Sequence, residues 1–236
     1  MLYVASRREI FYNGGVIPLR DNIPCRKFPF INYILIALNI AVFVFEMKLN
    51  LENSLDRFIY HFGVVPTIFM DDPTIHYSTL LTSQFLHGGL AHILGNLVFL
   101  YIFGDNIEDR FGHVKYLLFY LVSGTVAALC QVQFNPLSKF PMIGASGAIA
   151  GVLGAFFLFY PRAKVMTLIP LGFFTRIVEI PAFFFLGFWF LMQTFSGTSA
   201  LYMARATGSD IGGVAWWAHV GGFAFGFISA IFSKIL

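Results

Sequence analysis

The sequence predicts an all-α fold, a polytopic membrane bundle of six transmembrane helices, and three observations lead there. Of the 236 residues 58% are hydrophobic and 11% charged, with 30 Phe, a composition outside the soluble class. Six apolar stretches approach the roughly 20 residues a helix needs to cross a hydrocarbon core of about 30 Å. The apolar runs are also continuous, not the alternating segments of about ten residues that build a membrane barrel.

The expected spans are Phe30–Met47, Gly88–Phe103, Val114–Phe134, Ser146–Tyr160, Val178–Phe195 and Val214–Ile235. Residues 1–28, polar and broken by Gly14-Gly15, Pro18 and Pro24, read as a cytoplasmic N-terminal extension ahead of a membrane domain over 29–236. Span one starts too late and runs too long for a cleaved signal peptide, so it is expected to remain. Its Asn32 and Asn39 are expected to bond neighbouring helices. The loop from Lys48 to Thr79 has apolar patches of its own (Phe58, Phe62, Val64, Ile68), and a loop of that size is functional or embedded; here it should lie partly in the outer leaflet. Gly104–Gly112 reads as a tight cytoplasmic turn. Span three is generic, with Gly124, Ala127 and Ala128 as packing sites. Span five is crowded with aromatics read as lipid-facing bulk, and the Gly-, Ser- and Thr-rich loop Ser196–Gly213 after it is expected to be mobile. Trp216 and Trp217 suit the outer interface at the start of span six.

Charge placement fixes orientation. With the N-terminus inside, Lys48, Arg57, Lys139 and Arg205 fall in outer segments and the other eleven of the 15 Lys and Arg in inner ones. That asymmetry predicts a multi-pass protein of the plasma (inner) membrane with both termini cytoplasmic. Topology alone accounts for the basic N-terminus, so no nucleic-acid partner is expected. Cys25 and Cys130, the two cysteines, indicate neither a disulfide framework nor a cysteine metal site.

The stretch Gly144–Gly154, G-A-S-G-A-I-A-G-V-L-G, organises the rest. Gly147, Gly151 and Ala155 lie on one helical face, with Ser146, Ala150 and Gly154 beside them. Span six carries a matching face, Ala218, Gly222, Gly226 and Ala230, next to His219. Small residues let backbones approach closely, so two such helices would bring a serine and a histidine together. Span four is short, about 22 Å at 1.5 Å per residue, which sinks Ser146 below the outer surface to the floor of a depression.

Spans two, four and six share a direction, and His92, Asn96, Ser146 and His219 all lie near their outer ends. Ionisable groups inside spans are functional candidates. Metal ligation by His87 and His92 and plain interhelical bonding are the competing readings; there is no H-E-x-x-H motif and no acidic third ligand nearby. In the catalytic reading, a serine hydroxyl becomes nucleophilic when a base within about 2.6–3.2 Å takes its proton, and neutral His219 is that base. Free N–H groups at the start of span four, with His92 and Asn96, would hold the oxyanion, each donor contributing about 3 kcal/mol. No Asp or Glu is placed to orient His219, so a dyad is expected. A depression lined by His87, His92, Asn96 and Ser146 would admit the water that hydrolysis consumes.

G-A-S-G-A (144–148), H-G-G-L-A-H-I-L-G-N (87–96) and A-H-V-G-G-F-A-F-G (218–226) resemble the three signature motifs of the rhomboid intramembrane serine proteases. The resemblance runs in the expected order from about Pro18 to the last span. It implies an endopeptidase that cuts single-span membrane proteins in or near their transmembrane segments, within the lipid bilayer; the residues themselves lead to no expected cofactor or metal. By position it makes Ser146 the nucleophile, His219 the base, and His92, Asn96 and the Ser146 N–H the oxyanion site. Gly144 would allow the loop turn, and His87 matches a nearby family histidine. It also implies a gate in span five and the last outer loop, and a scaffold in the first outer loop. The chain departs from several bacterial members at Ala150, where a tyrosine would stack on the histidine, so His219 must be held otherwise. The first outer loop offers Asp56-Arg57 in place of a Trp-Arg or Glu-Arg pair. The alternative function is a catalytically silent protein of this fold that binds or escorts membrane clients; a transporter would show an inverted repeat, and none is visible.

Overall fold

The computed structural model describes residues 16–171, 174–207 and 213–235. The chain runs β1 (Ile17–Arg20), α1 (Phe30–Leu51), four short helices α2 (Leu55–Phe62), α3 (Pro66–Asp71), α4 (Pro73–His76) and α5 (Thr79–Thr82), and a 3-10 turn at Ser83–Phe85. It continues with α6 (Leu90–Phe111), α7 (His113–Phe134), α8 (Ser146–Phe159), β2 (Lys164–Leu171), β3 (Phe174–Pro181), α9 (Ala182–Thr207) and α10 (Trp216–Ile235).

The bundle is built around α8. Its residues Gly147 to Phe156 are all buried, as befits a helix apolar on every side. Small residues set how closely its neighbours pack. A Cβ added at Gly147 would lie 2.7 Å from Ala127 Cβ on α7, and one at Gly154 would lie 2.9 Å from the Phe223 carbonyl carbon on α10. From the other side, a Cβ at Gly226 would lie 2.6 Å from the carbonyl carbon of Gly151. The stripe read in the sequence is therefore the surface on which α8 and α10 meet, backbone to backbone.

Polar side chains tie the outer helices to this centre. Asn32 Nδ2 donates to the Leu100 carbonyl at 3.0 Å, and Tyr116 O–H donates to Asn32 Oδ1 at 2.8 Å, joining α1, α6 and α7 as expected. Asn39 behaves differently, donating to the Leu35 carbonyl of its own helix at 2.7 Å. Buried Glu108 accepts the Ile31 and Asn32 N–H groups at 2.9 and 2.7 Å, satisfying orphan donors at the start of α1. The bundle's exterior is apolar, with Leu38, Val44, Leu118, Phe184, Phe188, Leu191 and Phe232 among the exposed side chains. An apolar surface of this extent is a lipid-facing one.

Among the described residues, four helices are long and apolar enough to cross a membrane: α1, α6, α7, and α10 over Trp216–Ser233. Helix α8 is short, as the sequence indicates, with 14 residues, and α9 has 26.

Several sequence expectations are corrected. The fold is not purely α: β1, β2 and β3 form an antiparallel sheet in that order, with Lys164 opposite Pro181 and Leu171 opposite Phe174. Alternation is present in its burial, where Val165 and Thr167 point inward, but Met166, Leu168 and Ile169 between and beyond them are apolar too, which hides the period of two. Val178, the expected start of span five, therefore lies in β3. The helix begins at Ala182, just after Pro181, and runs on to Thr207, so much of the loop expected over Ser196–Gly213 is helical; residues 208–212 lie outside the described residues. Helix α6 continues through the turn expected at Gly104–Gly112 and breaks at Gly112 alone, φ 78°. Residues 17–27 pack against the bundle. β1 pairs with β2, and Arg26 and Lys27 N–H bond the Asp109 carboxylate at 3.3 and 3.1 Å.

Candidate active site

Each site residue sits at the beginning of a central helix. Ser146 is the first residue of α8, His219 lies in the first turn of α10, and His92 and Asn96 lie in the first two turns of α6. Gln131 on α7 anchors the start of α10, its Oε1 accepting from Trp217 and Ala218 N–H at 3.1 and 3.2 Å. The α8–α10 seam brings the two chemical groups together: Ser146 Oγ is 2.8 Å from His219 Nε2. His219 is buried, at 8% exposure.

The loop before α8 turns at Gly144, φ 124°, where a side chain would be strained. Space demands glycine there as well. A Cβ at this position would lie 2.7 Å from His92 Nε2 and 3.6 Å from Ser146 Oγ, so the His92 ring sits over the loop on the serine's side. Gly88 N–H donates to His92 Nδ1 at 3.3 Å; with Nδ1 accepting, the neutral ring carries its proton on Nε2, as a donor facing the loop. Gly144 N–H in turn donates to the Ser83 carbonyl at 2.9 Å.

His87 and Asn96 form a layer behind His92. Asn96 Nδ2 lies 2.9 Å from His87 Nε2, and His87 Nδ1 lies 3.2 Å from the Phe85 carbonyl. Both contacts are satisfied when His87 is neutral with its proton on Nδ1. Burial first, and the neighbouring His92 second, push the His87 pKa down to about 3, which agrees with that state. Buried Glu46, near the end of α1, accepts the His87 backbone N–H on both oxygens at 3.0 and 3.1 Å.

Three contacts that hold His219 were not legible in the spacing of motifs. Its Nδ1 lies 2.6 Å from Gln193 Oε1 on α9. Trp189, one turn earlier on α9, sets its ring 5.7 Å from the imidazole, and Trp216 approaches edge-on at 6.3 Å. These groups occupy the role left open by Ala150. Gln193, 1% exposed, had a signal in the sequence: it is a lone amide in an aromatic helix, and an amide there requires a partner.

No group of three or more His, Cys, Asp or Glu side chains capable of holding a metal occurs among the described residues. The arrangement can move a proton from Ser146 Oγ to His219 and present N–H donors beside it. The protein is thus a multi-pass membrane protein with a serine–histidine pair at the helix ends of a packed bundle. The Rhomboid domain family model matches residues 75–234, and the chain belongs to the rhomboid family. It is 29% identical over 202 residues to the rhomboid protease GluP of Bacillus subtilis, covering 86% of this chain and 34% of that protein. It is 30% identical over 155 residues to RHOMBOID-like protein 1 of Arabidopsis thaliana, covering 54% of this chain and 39% of that one. With rhomboid protein 1, mitochondrial, of Saccharomyces cerevisiae the identity is 25% over 138 residues, 57% and 38% of the two chains. The matched stretch thus spans between a third and two fifths of the length of these relatives.

Proposed function

We propose that the chain is an intramembrane serine endopeptidase, hydrolysing peptide bonds in or near the transmembrane segments of single-span membrane proteins. The observation that carries this reading is the 2.8 Å contact between Ser146 Oγ and His219 Nε2 at the half-buried start of α8. In the proposed topology α1, α6, α7, α8, α9 and α10 cross the inner membrane, both termini are cytoplasmic, and the site opens to the outer face.

The chemistry follows from the atoms in place. As Ser146 Oγ attacks the peptide carbonyl, a C–O bond forms and the hydroxyl proton passes to His219 Nε2. The carbonyl oxygen becomes an oxyanion. The Ser146 N–H, at the start of α8 where backbone donors lack intrahelical partners, and His92 Nε2–H would bind it, and the Asn96 amide, which gives one hydrogen to His87 Nε2 at 2.9 Å, would offer its other as a third donor. The C–N bond then breaks as the proton on Nε2 goes to the departing amine. Water attacks the acyl-serine, again giving its proton to His219, and Ser146 is restored.

Purified protein in liposomes with a model single-span substrate tests this. Cleavage is expected from the wild type, with Ser146→Ala and His219→Ala inactive and a chelator without effect. Cleavage by Ser146→Ala at the wild-type rate would contradict it, and failure of the wild type on several substrates would favour a client-binding protein of the same fold.

A further inference from the structure

We propose that Gln193 is a positioning residue for the base, so that the Ser146–His219 pair works with a third side chain that orients it. The inference rests on the dyad reading above and adds a residue that no sequence motif contains.

The argument starts from placement. Gln193 lies near the middle of α9, whose Phe184, Phe188, Leu191 and Phe195 are exposed while Gln193 is 1% exposed. One turn before it Trp189 flanks the His219 ring, and one turn after it a Cβ on Gly197 would lie 3.2 Å from both Trp216 and Trp217. Residues 189, 193 and 197 thus make one stripe facing α10, and Gln193 is the polar member of that stripe. An amide buried at this depth costs free energy unless it is bonded; its Oε1 meets His219 Nδ1 at 2.6 Å.

The chemistry of that bond decides the tautomer. An amide oxygen only accepts, so Nδ1 of the neutral imidazole must carry the hydrogen. Nε2 is then left with its lone pair, and Nε2 is the atom 2.8 Å from Ser146 Oγ. Without Gln193, the opposite tautomer would place N–H toward the serine and leave no base there. A neutral amide also orients the ring without burying a carboxylate among Trp189, Trp216 and Phe223. When Nε2 takes the serine proton, the Nδ1–H bond to an amide dipole persists and steadies the imidazolium.

The test compares Gln193→Leu and Gln193→Glu with wild type and Ser146→Ala, reading kcat and KM separately across pH. Gln193→Leu is expected to lower kcat by about 10- to 100-fold with KM little changed, the range found when the partner orienting a metal-ligating histidine is removed. Gln193→Glu keeps an acceptor and adds charge, so it is expected to recover activity and to move the acid limb of the kcat/KM profile upward by a pH unit or more. Nitrogen-15 NMR of histidine-labelled wild type gives a readout that no folding defect can mimic, and is expected to show His219 protonated on Nδ1 alone. Wild-type kcat and pH profile in Gln193→Leu, an unshifted limb in Gln193→Glu, or a proton on Nε2 in the free enzyme would each overturn the proposal. Cleavage by Ser146→Ala would overturn the dyad itself, whereas an inactive Ser146→Ala beside an unimpaired Gln193→Leu would remove only the role of Gln193.

Discussion

Among the described glycines, Gly226, two turns below His219, is the one whose added Cβ would meet neighbouring backbone most closely, and it makes a quantitative prediction. Alanine at Gly226 would place its Cβ on the Gly151 carbonyl oxygen and 2.6 Å from the carbonyl carbon, where ordinary contact begins at 3.4 Å. Backbone atoms cannot rotate away as a flexible side chain can, so α10 has to part from α8 by at least the difference, 0.8 Å. Carried along α10 to His219, that parting stretches the 2.8 Å contact with Ser146 to about 3.6 Å, outside hydrogen-bonding range. Overpacking of this kind destabilises by about 1–3 kcal/mol, and a misplacement near 1 Å lowers the rate by about 100-fold. The assay is cleavage of a single-span substrate in liposomes, normalised to folded protein, with thermal unfolding measured alongside. Gly95→Ala is the control, because a Cβ there meets nothing within 4 Å. A Gly226→Ala protein that cuts at the wild-type rate, or an equal loss in Gly95→Ala, would refute the claim that this seam sets the site's geometry.

Gly144→Ala combines a φ of 124° with a Cβ 2.7 Å from His92 Nε2; loss of most cleavage with the helical circular dichroism signal retained is expected. Glu46→Leu strands the His87 N–H that the carboxylate accepts at 3.0 Å, an unpaired buried donor costing about 1–3 kcal/mol, whereas Glu46→Gln keeps an acceptor and should unfold at nearly the wild-type temperature. His87, held down to a pKa of about 3 from the ordinary 6.5, stays neutral when folded but takes a proton when unfolded between those values. Stability is therefore expected to fall as pH drops through that window, by up to about 1.4 kcal/mol per pH unit from this group. Denaturation of His87→Gln in mixed micelles should show a correspondingly shallower acid slope, and an unchanged slope would contradict the assignment.

Much of the site was legible because its demands are local. Glycine and alanine at helical spacing marked the α8–α10 seam, and the brevity of α8 marked Ser146, at its start, as the candidate nucleophile, which the structure sets 2.8 Å from His219 Nε2. The orienting contact to His219 was hidden because α9 is aromatic on every face, so the stripe of Trp189, Gln193 and Gly197 that faces α10 does not stand out against lipid-facing Phe184 and Phe188. The sheet was hidden for a related reason: Val165 and Thr167 point inward, but Met166 and Leu168 on the opposite face are apolar too, and the alternation that marks a half-buried strand vanishes. Glu46 could be read only from tertiary structure, since its partner is the backbone of His87, 41 residues away.

The measurement closest to the central claim is covalent labelling of the purified protein by a fluorophosphonate, with the modified residue located by mass spectrometry. An activated serine should give a single adduct on Ser146, abolished in His219→Ala and slowed in Gln193→Leu. An adduct that forms equally well in His219→Ala, or no adduct on Ser146 under conditions where other serine hydrolases react, would contradict a histidine-activated nucleophile at the start of α8.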